Sequence, residues 1–190
     1  VTLSRRRAAL GLLGLAAGAV AQTAALGATP SATPPVEAAT ALPGVRIQGD
    51  SRLRFFGLRI YDARLWVGAK AVESDWSAVP FALELVYARQ LKGAQIAERS
   101  LKEMRRQGDI APETEQRWRA ALEQWLPDVK EGDRLTGVNH PGRGLTLYFN
   151  GSPRAESADL DLARVFFGIW LSPRTSEPAL REALLGRPTP

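Results

Sequence analysis

The sequence predicts an α+β domain, an antiparallel β-sheet with helices packed on one face, and three observations lead to it. From Ser51 to Gly68 apolar and charged residues alternate on both sides of Gly57, the pattern of two strands joined by a tight turn. From Phe81 to Ala88 the alternation returns. Elsewhere the apolar residues recur at helical spacing, so the order runs strands, two helices, strands, two helices, which suits an antiparallel sheet covered on one side.

With 190 residues, 45% of them hydrophobic, the chain has material for one core. Residues 1–21 carry a basic patch, Arg5 to Arg7, then the apolar run Ala8 to Val20, then Ala19-Val20-Ala21 before Gln22. That is the plan of a secretory signal peptide, so cleavage and a periplasmic or secreted product are expected; Ser4 to Leu10 also has the look of a twin-arginine signal. The run is short and rich in alanine and glycine, so no stable membrane span is expected after cleavage. Residues 22–43, mainly Ala, Thr, Pro and Ser, are predicted to be a disordered linker, and 44–190 the folded domain. The chain has no cysteine, which excludes disulfides, thiolate metal clusters and covalently attached haem. Its formal charge is +5, but without the three leader arginines 22 basic residues face 20 acidic ones. The signs are interspersed and no recognition motif accompanies them, so no nucleic-acid partner is expected.

Val45 to Gln48 alternates and is predicted as a first strand ending at Gly49-Asp50. With Phe56 and Gly57 at the centre of the next turn, antiparallel pairing sets Phe55 against Leu58, Arg54 against Arg59, Leu53 against Ile60 and Arg52 against Tyr61. Gly93 to Gln107 is helical, with Ala97, Leu101 and Met104 on one side. A second helix opens at Pro112 and stops before Pro127; its stripe Trp118, Ala121, Leu122 and Trp125 is read as core. Arg134 to Val138 and Gly144 to Phe149 form a second hairpin. Ser157 is read as the cap of a helix that is apolar nearly all round, through Leu162, Val165, Phe166, Ile169 and Trp170, and must therefore be buried. A last short helix, Glu177 to Leu185, closes at Gly186.

In this register Arg52 and Tyr61 stand side by side at the head of an apolar track. Ala63, Leu65 and Val67 continue one wall, and Leu83, Leu85 and Tyr87 form the other. A guanidinium and a phenol over such walls suit a small apolar molecule with an acidic or oxyanionic head. His140 is the single histidine and lies in a predicted turn, which leaves no triad and no histidine-rich metal site. Asp128, Glu131 and Asp133 are read as solvated loop acids, no phosphate-binding glycine loop is present, and no catalytic residue is assigned.

An arginine-bearing strand, a turn and then RIYDARLW, followed by LPDVKEGDRL, GLTLYFNG and ARVFFGIWLSPRTSEPALREALLG, resemble the chalcone isomerase-like superfamily, its bacterial branch in particular, over residues 44–187. The resemblance implies an open-faced β-sandwich with a ligand cleft between sheet and helices. For active isomerases it also implies an arginine, a threonine on the following strand, and a helix motif Y-S-E-x-V-A-E-N. Arg52 matches the arginine, but Tyr61 stands at the threonine position, Lys92 at the motif's tyrosine and Arg99 at its asparagine. Cyclisation of chalcones is therefore not expected above the spontaneous rate. Arginine with tyrosine is similar to the fatty-acid-binding branch, where the two hold the ligand carboxylate. The resulting expectation is an exported, non-catalytic, cofactor-free binder of a fatty-acid type of ligand. The alternatives are an isomerase or intramolecular lyase acting on a chalcone- or enone-like substrate, and non-covalent haem binding with His140, Met104 or a tyrosine as axial ligand.

Overall fold

Six strands lie side by side in chain order, every neighbouring pair antiparallel: β1 (Arg46–Phe55), β2 (Leu58–Val67), β3 (Phe81–Tyr87), β4 (Arg134–His140), β5 (Gly144–Phe149) and β6 (Ser152–Ser157). The structure, a computed structural model, describes residues 32–187; the predicted leader and the start of the predicted linker lie outside them. Between β3 and β4 the chain makes α2 (Gly93–Arg105) and α3 (Pro112–Trp125), and after β6 it makes α4 (Leu160–Leu171) and α5 (Pro178–Leu184). These four helices share one core with the sheet face bearing Leu65, Leu83, Leu85 and Leu147. Helix α4 is buried on almost every side, as an all-round apolar helix requires. Its Phe167 ring meets Phe81 edge-on and lies so close to the backbone of Gly137 that an added Cβ there would be 2.8 Å from the ring.

The opposite sheet face corrects the linker prediction. Val36–Ala41 forms a short helix, α1, whose Ala38, with the following Leu42, packs on Trp66, Ala82 and Val138. Glu37 is buried there, accepting hydrogen bonds from Thr136 Oγ1 at 2.7 Å and Arg134 Nη2 at 3.3 Å. Beside it Glu84 accepts from Trp66 Nε1 at 2.9 Å and Arg64 Nη1 at 3.3 Å. The helices expected on one face are there, and α1 is an addition on the other.

Other boundaries differ for identifiable reasons. β1 does not end at Gly49-Asp50 but runs through them with a bulge. At Gly49 the backbone of α5 crosses so closely that a Cβ would collide with the Ala183 carbonyl oxygen. β6 adds a strand that the sequence hides, since Ser-Pro-Arg-Ala-Glu-Ser lacks large apolar residues and has a proline that only an edge strand tolerates. His140 is the last residue of β4 rather than a turn residue, with Nε2 3.0 Å from Thr146 Oγ1. Helix α4 is capped by Asp159, which accepts from Leu162 N at 2.9 Å, not by Ser157. Of the acids read as solvated, Asp128 is exposed but also holds a helix start, and Asp133 is buried. Asp128 accepts from Gly93 N at the start of α2 and pairs with Lys92, and Asp133 accepts from Lys130 N and Asn150 Nδ2.

Candidate functional site

A cavity of about 270 Å³ lies between the sheet and helices α2 and α4. The strands supply Leu53, Phe55, Ile60, Tyr61, Leu83, Leu85 and Tyr87, with Leu135, Gly137 and Leu147 further along the sheet. The helices supply Ile96, Arg99, Ser100 and Glu103 from α2 and Phe166, Phe167, Ile169 and Trp170 from α4. Ser176 and Glu177, just before α5, complete the rim. Ligand sites usually run from about 300 to 1,000 Å³, so the cavity suits a small apolar guest.

The hairpin sets the orientation of the polar groups. Phe56 and Gly57 both have positive φ, 48° and 77°, as a two-residue type I′ turn needs, so Phe55 pairs with Leu58 and Arg54 with Arg59 as predicted. Beyond them the register shifts by one, because Ile60 is an extra residue on β2; Leu53 then faces Tyr61, and Arg52 faces Asp62. The predicted Arg52–Tyr61 pair does not exist. Tyr61 points into the cavity, while Arg52 lies on the other face with its Nε 2.7 Å from Asp62 Oδ1. Burial alone would raise the Asp62 carboxyl, but hydrogen bonds from Arg52 and Arg59 outweigh it and hold the carboxyl below its ordinary value.

Tyr61 is fixed by α4. Trp170 Nε1 donates to its hydroxyl at 2.9 Å, and since an indole N–H can only donate, the phenol oxygen accepts and keeps its own proton available to a guest. Burial raises the phenol far above its ordinary value, against the lowering effect of the Trp170 bond, so Tyr61 stays a donor across the neutral range. Tyr87, edge-on to Tyr61 with ring centroids 5.9 Å apart, is likewise raised, first by burial. Tyr61→Phe leaves the Trp170 N–H, on a residue only 7% exposed, without its acceptor. The expected loss is about 1–2 kcal/mol, read as a lower urea midpoint at unchanged slope.

Arg99 is the cation at the rim. Its Nη2 is 2.8 Å from Glu103 Oε1, and its guanidinium lies 6.0 Å from the centroid of the Phe55 ring. Glu103 is buried, and its Oε2 has no hydrogen-bond partner, the nearest cation being Arg106 Nε at 3.5 Å. Two arginines therefore share one carboxylate, which leaves Arg99 with charge and N–H donors to spare. Glu177 borders the same opening, so an anionic head is favoured only on the Arg99 side.

Of the residues the sequence proposed for the ligand, Tyr61, Leu83, Leu85 and Tyr87 line the cavity. Arg52, Ala63 and Leu65 do not; Ala63 and Leu65 are fully buried beneath it, and Arg52 is on the far face. Arg99, which departs from the helix motif, is a lining residue the sequence expectation omits, although its spacing to Glu103, one helical turn on, marks a paired charge on one face. His140, Met104 and Lys92 are not among the lining residues. The tryptophan stripe of α3 is core, with Trp118 and Leu122 buried and Trp118 Nε1 bonded to Asp159. Among the described residues no three metal-binding side chains converge, and no helix is long and apolar enough to cross a membrane.

A family model described as chalcone isomerase-like matches residues 51–186, most of the chain. The chain belongs to the chalcone isomerase-like family. The family's fold is also that of a solved fatty-acid binding protein from Arabidopsis thaliana, with a TM-score of 0.54 at 12% identity over 77% of this chain and 90% of that one. At that identity the likeness speaks for the family fold alone. No protein of curated function matches the sequence.

Proposed function

We propose that this chain binds a small apolar molecule with an acidic or oxyanionic head, of the fatty-acid type, and does so without turnover. The observation that carries the reading is Tyr61: held as an acceptor by Trp170, it keeps its own proton for a guest of an apolar cavity that Arg99 also lines. A phenol and a guanidinium together suit a carboxylate, and each methylene withdrawn from water adds about 0.8 kcal/mol. The volume, just below the usual range of ligand pockets, favours a medium-length chain. A fold shared with a protein described as fatty-acid binding supports the same class of ligand. Export also belongs to this proposal, on the strength of residues 1–21, and N-terminal sequencing of the native protein tests it by the presence or absence of a start at Gln22.

Calorimetric titration with decanoate tests the binding. Arg99→Ala is expected to weaken it about ten- to a hundredfold, the loss of one charged hydrogen bond, while Arg52→Ala leaves it unchanged. Equal losses for both would reveal diffuse attraction and sink the assignment. The same preparation is expected to cyclise chalcone no faster than buffer does. An acceleration on the order of 10⁶ would restore the isomerase reading, and Glu103, with its free buried oxygen, would then be the first base to test.

A further inference from the structure

The cavity leaves one feature of the hairpin unexplained. Phe55, Phe56 and Leu58 are 51%, 89% and 55% exposed, three of the five large hydrophobic side chains exposed among the described residues, and they sit within four positions. Phe56 also holds φ at 48°, a left-handed conformation that a bulky residue rarely takes and that asparagine or glycine would supply at less cost in this turn. Its ring meets that of Phe55 edge-on, centroids 4.5 Å apart, yet stays almost wholly in solvent. Around the tip stand Arg52, Arg54 and Arg59 against one carboxylate, Asp62, and Arg54 Nη1 reaches back to the Gly57 carbonyl at 3.3 Å.

From this we infer that the β1–β2 tip docks on an anionic lipid bilayer, with Phe56 and Leu58 entering the interface and the arginines meeting lipid phosphates. A convex tip of three side chains cannot supply the roughly 800 Å² per partner of a stable protein interface, but a bilayer needs no matching shape. Phenylalanine and leucine are among the residues with which interfacial segments enter the headgroup–acyl boundary, and guanidinium groups bind phosphate in two-pronged fashion. Basic side chains near an anionic surface are each attracted measurably, in a salt-dependent way. Phe56 and Leu58 do not line the cavity, so the inference stands whether or not the cavity takes an acid.

The full chain has no cysteine, so one can be placed at will and labelled with an environment-sensitive fluorophore. Leu58→Cys reports from the tip, and Glu73→Cys reports from the β2–β3 connection at the other end of β2. With phosphatidylglycerol-containing vesicles the emission at position 58 is expected to shift to the blue and that at 73 to stay, with a weaker response to phosphatidylcholine alone or at high salt. Adding Phe56→Asn to the Leu58 probe should raise the lipid needed for half the shift about tenfold, while the melting temperature rises because asparagine suits the turn. No shift at 58, equal shifts at both positions, or an unchanged lipid requirement in Phe56→Asn would overturn the inference. So would a shift at 58 that follows protein concentration without vesicles, which would mean that a second copy covers the tip.

Discussion

Glu84→Ala is expected to cost about 3–5 kcal/mol of folding stability, the largest loss of any single truncation considered for this chain. Glu84 lies on the central strand β3 with its side chain 4% exposed, and it accepts from both Trp66 and Arg64. Arg134 Nε lies 3.8 Å from its other oxygen and has no hydrogen-bond partner of its own. Removing the carboxylate strands the Trp66 N–H and leaves two partly buried guanidinium groups with only Glu37 nearby, on Arg134. Glu84→Gln separates the causes, because the amide oxygen still serves Trp66 but the charge is gone. Urea unfolding with unchanged slope measures both. Equal losses for alanine and glutamine would assign the effect to charge, and a loss below about 1 kcal/mol for alanine would mean that solvent replaces the carboxylate there.

Leu85→Trp is expected to abolish decanoate binding, lowering affinity at least about a hundredfold, with a folding change of about 1–3 kcal/mol at most. Leu85 lies in the middle of β3 between Ala63 and Leu135, and its side chain borders the cavity. An indole there enters the empty space rather than the packed core, so the overpacking penalty stays modest. Excluding about four methylenes of the guest forfeits about 3 kcal/mol, which is the hundredfold. Titration calorimetry reads the affinity and circular dichroism the fold. Unchanged affinity in a folded Leu85→Trp protein would place the ligand elsewhere.

What could be read from the residues was whatever shows in local alternation. The turn at Phe56-Gly57, the inward face of β3 and the buried character of α4 all follow from pattern and residue type. The Arg52–Tyr61 pair failed because one inserted residue, Ile60, moves the register beyond it, and nothing in an alternating run shows which strand carries the extra residue. α1 failed because its segment is short, alanine-rich and poor in large side chains; its order comes from Glu37 meeting Arg134 and Thr136, nearly a hundred positions away. Arg99 was visible as a residue but not as a rim group, since its place depends on how α2 lies across the sheet.

The side chain of Gln48 in β1 donates both to Val72 and, across 137 positions, to Leu185 at the end of α5, and α5 crosses directly over Gly49. On the ribosome this has a cost in time. At about 5–20 residues per second, β1 leaves the tunnel on the order of ten seconds before the helix that covers it has been made. During that interval the face of β1 that α5 covers is bare, while its edge, the outermost of the sheet even in the finished fold, is guarded throughout by the charges it carries, Arg46, Asp50, Arg52 and Arg54.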